Sequence, residues 1–182
     1  GSTDTTNVTT GAVDTTGADL IVVIATCYAS SVTVTDSKGN TPYVALTLRN
    51  GAAAATRIYY FVAPTVGSGH TFTGVSGVAG SPSICAAAFI GSHASTYDQE
   101  SGATAAQPGS ITPAEDNELL VTGICWYPGG TLSVDGGFTI TDEVGYSAGF
   151  HMGAALAYLI QTSAAAANAR IPPSHARYST SG

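Results

Sequence analysis

Acidic side chains are the first candidates for chemistry, because they occur in close groups along the chain. Two carboxyl groups that flank a sugar bond can act as general acid and as base or nucleophile in a glycoside hydrolase. Asp side chains also hydrogen-bond the backbone of their own turns, and this simpler interpretation is favoured. A hydrolase is therefore the third and weakest hypothesis, and we predict no catalytic residue. The groups are Asp98 with Glu100, Glu115 and Asp116 with Glu118, and Asp142 with Glu143.

The turns that follow Asp36 and Asp142 raise the question of a metal ion. Calcium binds oxygen ligands in loops, and both turns carry a carboxylate. Neither turn matches a defined calcium motif. We therefore expect no cofactor and no metal site, with calcium at Asp36 or Asp142 as the alternative.

The cysteines and histidines show no catalytic or metal-binding pattern. Cys27, Cys85 and Cys125 lie in or beside apolar runs, and their odd number excludes full internal pairing. We expect three buried free thiols, and the alternative is one disulfide with one thiol. No nearby basic cluster would lower a thiol pKa. The histidines are far apart and are interpreted as isolated surface or turn residues: His70, His93, His151 and His175.

Aromatic pairs could form a platform for sugar binding. The pairs are Tyr59 with Tyr60 and Trp126 with Tyr127. Adjacent residues of a strand point to opposite faces, so one ring of each pair should be buried and the other could stack on a sugar. A carbohydrate-binding module is therefore the alternative function. Asn7, in Asn7-Val8-Thr9, is the one N-glycosylation acceptor pattern in the chain.

Composition narrows the classes of partner. The chain has a net charge of −7, and 9% of its residues are charged. Nucleic acid is disfavoured because phosphate binding needs clustered Lys and Arg. No apolar run approaches the roughly 18 residues of a membrane span, so we expect no membrane insertion. Ala, Gly, Ser and Thr make up 94 of 182 residues, which favours an exported protein at a cell or virion surface. Gly1-Ser2-Thr3 without Met fits either a tag remnant or a mature exported chain.

The elements that would position these residues are all predicted to be strands. Short β-branched and alternating runs end at turn residues, which indicates an all-β fold. Residues 20–24 form a continuous apolar run, which predicts a strand buried on both faces. Residues 92–110 are predicted to form a long polar loop. The predicted strands are 20–24, 32–35, 44–48, 57–62, 70–73, 83–90, 118–126, 138–141 and 154–160.

An internal repeat with a period of about 100 residues indicates a duplicated half-domain. The matching blocks are residues 13–16 with 111–114, 19–22 with 118–121, 27–28 with 125–126, 33–36 with 139–142, and 58–62 with 156–160. Two antiparallel halves predict a two-sheet, jelly-roll-like sandwich. Residues 1–13 would be an N-terminal extension. Residues 14–182 would be one domain, with half one at 14–91, a linker at 92–110 and half two at 111–182.

The two halves differ at their ends. Half two has no counterpart of the strand predicted at 83–90, so one sheet edge would stay open and could recruit another strand. The N-terminal segment is rich in Thr and has no evident place in its own half. We therefore expect it to act as a donor strand on a neighbour's sheet. Its assembly residues are Thr5, Thr6, Asn7, Val8, Thr9, Thr10 and Val13.

Three stretches resemble a loosely characterised β-sandwich family of phage virion and tail proteins and of exported bacterial surface or fibril proteins. They are DTTGADLIVV at 14–23, DSKGNT at 36–41 and PTVGSGHTF at 64–72, and the resemblance covers roughly residues 11–165. It implies a surface or assembly role and carries no catalytic residues. The leading hypothesis is a non-enzymatic structural subunit of an extracellular fibril or virion appendage. Its partners would be copies of itself, joined head to tail by strand addition, and in addition glycans.

Overall fold

The fold of this chain is described by a computed structural model. Its described residues are 6–28, 32–51, 54–77, 80–92, 97–104, 107–126, 132–145, 152–171 and, for the backbone, 178–181. These ranges contain strands and no helix, so the all-β class is confirmed. None of them therefore forms a helix long and apolar enough to cross a membrane.

Thirteen strands lie in the described part of the chain, and every pairing between them is antiparallel. In chain order they are β1 (Asn7–Thr9), β2 (Leu20–Cys27), β3 (Val32–Asp36), β4 (Val44–Ala45), β5 (Arg49–Asn50), β6 (Ala55–Val62), β7 (Phe72–Ser76), β8 (Ser83–Phe89), β9 (Gly102–Ala103), β10 (Glu118–Trp126), β11 (Thr139–Val144), β12 (Gly153–Gln161) and β13 (Tyr178–Ser181). Most predicted strands are present. The strand predicted at 44–48 is shortened to β4, and β9 interrupts the predicted loop.

The strands form three sheets. The N-terminal sheet has the order β1-β7-β3, and the C-terminal sheet has the order β11-β12-β10-β13-β9. The central sheet has the order β4-β6-β2-β8, and β5 also pairs with β6. We expected two sheets, and the described residues form three.

The central sheet packs against the N-terminal sheet on one face and against the C-terminal sheet on the other, so the fold has three layers. Every residue of β2 is buried, as its continuous apolar run predicts. Ile21 and Val23 pack in one core cluster with Phe72 of the N-terminal sheet. Val22 and its even-numbered neighbours pack in a second cluster with Leu156 of the C-terminal sheet. Because alternate residues of a strand point to opposite faces, one apolar strand supplies two cores.

The N-terminal segment lies on its own chain. Asn7, Val8 and Thr9 pair with β7, and Val13 forms a further bridge with His70. We expected this segment on a neighbour's sheet because no partner was evident in its own half; here the partner is β7. Val8 is 7% exposed, whereas Val13 is 41% exposed. The five-residue spacing between the two valines places them on opposite faces of an extended segment.

Half two also contains a strand, β13, in the place where the sequence predicted no counterpart of β8. β13 pairs with residues 123–126 of β10, on the side opposite to β12. It thereby takes the position beside β10 that β8 takes beside β2. β8 pairs with residues 20–26 of β2, so the pairing of β13 with β10 is shorter than the pairing of β8 with β2.

Candidate functional site

A groove opens between the central and the C-terminal sheets. Its volume is about 770 Å³. Strands β2 and β6 contribute to its floor, and the first residues of β10 form part of its wall. The loops after β8 and before β10 complete it. The lining residues are Leu20, Val22, Leu46, Ile58, Tyr60, Phe89, Ile90, Gly91, Ser92, Tyr97, Asp98, Gln99, Ile111, Pro113, Ala114, Glu115, Asp116, Asn117, Glu118, Leu119, Leu120, Val121 and Ile160.

The rim of this groove is unusually apolar. Ile90, Tyr97 and Ile160 are 76%, 48% and 59% exposed, and all three line the groove. Only six large hydrophobic side chains of the described residues are exposed, so half of them gather here. Single exposed apolar residues are ordinary, but a cluster beside a concave surface is typical of an interaction site.

Two tyrosines meet at the rim. Tyr60 and Tyr97 lie nearly parallel, with ring centroids 6.4 Å apart and an interplanar angle of 4°. Burial, and next the neighbouring Tyr97, raises the pKa of Tyr60, which favours its neutral hydroxyl form. Tyr59 is buried instead and donates its hydroxyl hydrogen to the carbonyl of Val32. The prediction of one buried ring is therefore confirmed for Tyr59 and Tyr60. In the second pair, Trp126 is buried and Tyr127 lies outside the described residues.

Four carboxylic side chains line the groove, and none of its described lining residues is Lys, Arg or His. Asp98 accepts hydrogen bonds from the Ala114 N–H at 2.9 Å and from the Gln99 side chain. Asp116 accepts the Ala164 N–H at 2.7 Å. These two acids bind loop backbone, as the simpler interpretation expects. The side chains of Glu115 and Glu118 make no hydrogen bond or ion pair with the described residues, and both residues line the groove.

The wall of the groove contains a strand edge. On one side of β10, β12 pairs along the whole strand from Glu118 to Trp126. On the other side, β13 pairs with residues 123–126 only. In the described part of the chain, no strand pairs with that side of residues 118–121, and these residues line the groove. Unpaired backbone groups on a strand edge are able to accept another strand.

A second polar cluster lies inside the protein, between the N-terminal segment, β3 and β7. His70 is fully buried, which corrects its interpretation as a surface or turn residue. Its Nδ1 is 2.9 Å from the Thr15 hydroxyl, and its Nε2 is 3.3 Å from Oδ2 of Asp36. The Nε2 atom makes no hydrogen bond within the described residues. The order Thr, His, Asp is that of a nucleophile, a base and an acid, but its burial excludes a substrate and indicates a structural role.

Asp36 is held by several donors. Its carboxylate accepts from the Tyr43 hydroxyl at 2.6 Å, the Asn40 amide at 2.8 Å and the Lys38 N–H at 2.9 Å. Burial by itself would raise the pKa of Asp36, but these hydrogen bonds outweigh it and the pKa is lowered. Burial, and next the bond to Asp36, raises the pKa of Tyr43. The protein's own donors thus occupy the oxygens that a calcium ion would need.

The remaining acidic candidates lie outside the groove lining. Asp142 accepts the Ala86 N–H of β8 at 3.0 Å, and Glu100 lies 3.4 Å from the Arg49 guanidinium. Glu143 is exposed on β11. Within the described ranges, no group of three or more His, Cys, Asp or Glu side chains is placed to hold a metal ion.

The cysteines are free thiols and all three are buried: Cys27, Cys85 and Cys125. Burial, and next the nearby Asp142, raises the pKa of Cys85. Burial also raises the pKa of Cys125, to about 12. A thiol that stays protonated is a poor nucleophile, so these residues serve as core side chains.

Only some of the other predicted site residues belong to the described part of the chain. Asn7 is exposed on β1. Thr6, Thr9 and Thr10 belong to the segment along β7. Thr5, His93, His151 and His175 lie outside the described residues.

The groove was not found from sequence, since its lining comes from chain segments that are far apart. Its acids were visible as pairs, but the sequence did not show that Asp98 would face the same opening as Glu118. Its side chains suit binding of a partner. Comparison of the chain with protein-family models, with curated proteins and with solved structures finds no match.

Proposed function

We propose that this protein is a non-enzymatic structural subunit of an extracellular fibril or of a virion or cell-surface appendage, and that its copies join by exchanging the N-terminal segment. The observation that carries the proposal is the pairing of β1 with β7, in which the paired residues are 64–68 positions apart in the chain. The Ser- and Thr-rich, weakly charged composition supports a surface location.

The pairing of the N-terminal segment is made of contacts that a neighbour's segment can reproduce. The Thr10 N–H bonds the Phe72 carbonyl at 2.9 Å, and Val13 and His70 exchange two backbone bonds of 2.9 Å. Each such bond contributes about 0.5–1.5 kcal/mol net, and burial of Val8 adds about 1.5–3 kcal/mol. An exchanged segment makes the same contacts between copies. When each copy donates to the next, the contact is head to tail and propagates unless its rotation closes a ring.

We also propose that the fold arose by duplication of a jelly-roll-like half. Support comes from the register of two hairpins. Val22 faces Tyr60 between β2 and β6, and Val121 faces Tyr158 between β10 and β12. These are the positions that the sequence repeat aligns. β3 and β11 depart from the pattern, since β3 pairs with β7 whereas β11 pairs with β12.

A cysteine pair tests the exchange directly. Thr9 and Thr73 are cross-strand partners, and their hydroxyl oxygens are 2.9 Å apart. Two single variants, Thr9→Cys and Thr73→Cys, are mixed, briefly and partially denatured, refolded together and then oxidised. Exchange predicts a disulfide-linked species that contains one copy of each variant, detected by mass on non-reducing gels.

Three further samples complete this experiment. The double variant Thr9→Cys/Thr73→Cys should give intramolecular disulfides when dilute and linked chains when refolded at high concentration. The wild type should give no linked species, because its own thiols are buried. Deletion of residues 1–12 should leave a folded monomer. Mixed single variants that stay unlinked, or a truncated protein that still forms fibres, would contradict the proposal.

A further inference from the structure

The groove continues the track of β13. In the C-terminal sheet, β13 lies between β10 and β9. Neighbouring strands are about 4.8 Å apart, so β10 and β9 are separated by two such spacings. The described part of β13 ends at Ser181, which faces Gly123. Beyond this point residues 118–121 of β10 line the groove, together with residues 97–99 that lead towards β9.

We propose that this groove binds an extended peptide strand that carries basic side chains, and that the strand pairs with the edge of β10 at residues 118–121. A strand in this place would extend the cover that β13 gives to residues 123–126. It would satisfy backbone donors and acceptors that no strand of the described residues pairs. Strand addition of this type supplies binding energy through main-chain hydrogen bonds and specificity through alternate side chains.

The floor of the groove suits the inward side chains of such a strand. Leu20, Val22 and Ile58 belong to the core cluster between the two sheets, and Leu119 and Val121 pack against it. Apolar side chains at alternate positions of the peptide would therefore continue an existing core. The edge of β10 at residues 118–121, which no strand of the described residues pairs, favours a peptide over a saccharide, because a peptide backbone can pair along it.

The negative charge of the groove favours basic side chains at the outward positions of the peptide. Asp98, Glu115, Asp116 and Glu118 line it without a basic residue among the described lining. A peptide with Lys or Arg near its ends would meet opposite charge, and an acidic peptide would meet repulsion. This inference does not depend on the exchange of the N-terminal segment, because that segment lies on the other side of the central sheet.

Binding of defined synthetic peptides tests the proposal. The probe is a fluorescent nine-residue peptide that alternates Val and Thr and carries Lys at both ends. We expect saturable binding by fluorescence anisotropy that weakens as salt is raised. An analogue with Glu in place of Lys should not bind. An analogue with Pro at the Thr positions should not bind either, because Pro has no backbone N–H and is not tolerated in the middle of a paired strand.

Two matched variants locate the site. Glu118→Lys should lower the affinity for the Lys peptide by about tenfold or more, because it reverses a charge at the rim of the groove. Glu143→Lys makes the same change on β11, outside the groove lining, and should leave the affinity unchanged. Equal effects of both variants, binding of the Pro analogue, or absence of saturable binding would overturn the proposal. So would binding of a neutral oligosaccharide that Glu118→Lys abolishes while the peptide does not compete.

Discussion

At the scale of single residues, the buried cluster around Asp36 fixes the N-terminal third of the chain. Asp36 ends β3, and His70 precedes β7, so their contact ties the two strands together. Thr15 adds the N-terminal segment through its bonds to His70 and to Gly67. Buried polar groups are costly unless they are hydrogen-bonded. A cluster in which nearly every donor has an acceptor therefore specifies one arrangement of these loops.

Asp36→Asn should lower the free energy of unfolding by about 1–3 kcal/mol at pH 7, because an amide nitrogen would face the donors of Asn40 and Tyr43. Folding lowers the pKa of Asp36 from 3.8. The stabilisation from this carboxylate is therefore fully present above pH 3.8 and is lost as the pH falls through the lowered pKa. Urea unfolding of both proteins over this range should show their difference shrinking below pH 3.8.

Asp14→Asn is the matched control for this measurement. Asp14 bonds Thr16 in an exposed turn and takes no part in the buried cluster. Its loss of stability should be clearly smaller than that of Asp36→Asn. An equal loss for both variants, or a difference that grows towards low pH, would contradict the role given to Asp36.

At the scale of elements, close approach between strands depends on glycine. In the pairing of β10 with β12, Trp126 faces Gly153, and a Cβ at position 153 would overlap the indole ring. Gly123 of β10 faces the central sheet, where a Cβ would lie 2.6 Å from Cδ1 of Ile24. Two faces of the C-terminal sheet thus use glycine to leave room for a large neighbour.

Gly153→Ala should destabilise the protein by about 1–3 kcal/mol, since the buried indole of Trp126 must shift in a packed core. Chemical denaturation followed by Trp126 fluorescence measures this loss, because the chain has one Trp. Gly145→Ala is the control, because no atom of the described residues lies within 4 Å of its Cβ position. That change should be neutral within about 0.5 kcal/mol. Equal effects of the two substitutions would show that packing against Trp126 is not the cause.

At the scale of the whole molecule, the central sheet couples the two outer sheets. Its strand β2 supplies one face to each core, so neither outer sheet has an apolar partner without it. Cys27 belongs to the core shared with the N-terminal sheet, and Cys85 to the core shared with the C-terminal sheet. Cys125 packs in a third, smaller cluster with Met152. The three thiols therefore report on separate parts of the interior.

Labelling of these thiols should occur in one step. We expect no reaction with a bulky maleimide in native buffer, and reaction of all three at the same denaturant concentration, because the shared central sheet makes unfolding cooperative. Mass spectrometry of the labelled chain counts the modified residues, and peptide mapping assigns them. Early labelling of Cys27 alone would show that the N-terminal sheet unfolds independently. Rapid native labelling of all three would show that the cores are not closed.

Sequence periodicity determined the elements of this protein more than their arrangement. The continuous apolar run from Leu20 predicted a strand buried on both faces, because burial on two sides leaves no polar positions. The bounds of β10 also followed from its apolar run between Asn117 and Tyr127. Short pieces such as β9 and β13 could not be predicted, since two to four residues carry no periodic signal.

Only the tertiary structure decided which segments meet. Pairing of β1 with β7 depends on contacts between residues distant in the chain, and local composition showed only that the segment was extended. The burial of His70 likewise required Asp36 and Thr15 to be brought to it by three separate segments. The groove lies beside residues 118–121 of β10, and the acids and exposed apolar side chains that line it come from segments far apart in the chain. Local patterns encode burial and extension, whereas a site made of non-local contacts is encoded only in the fold as a whole.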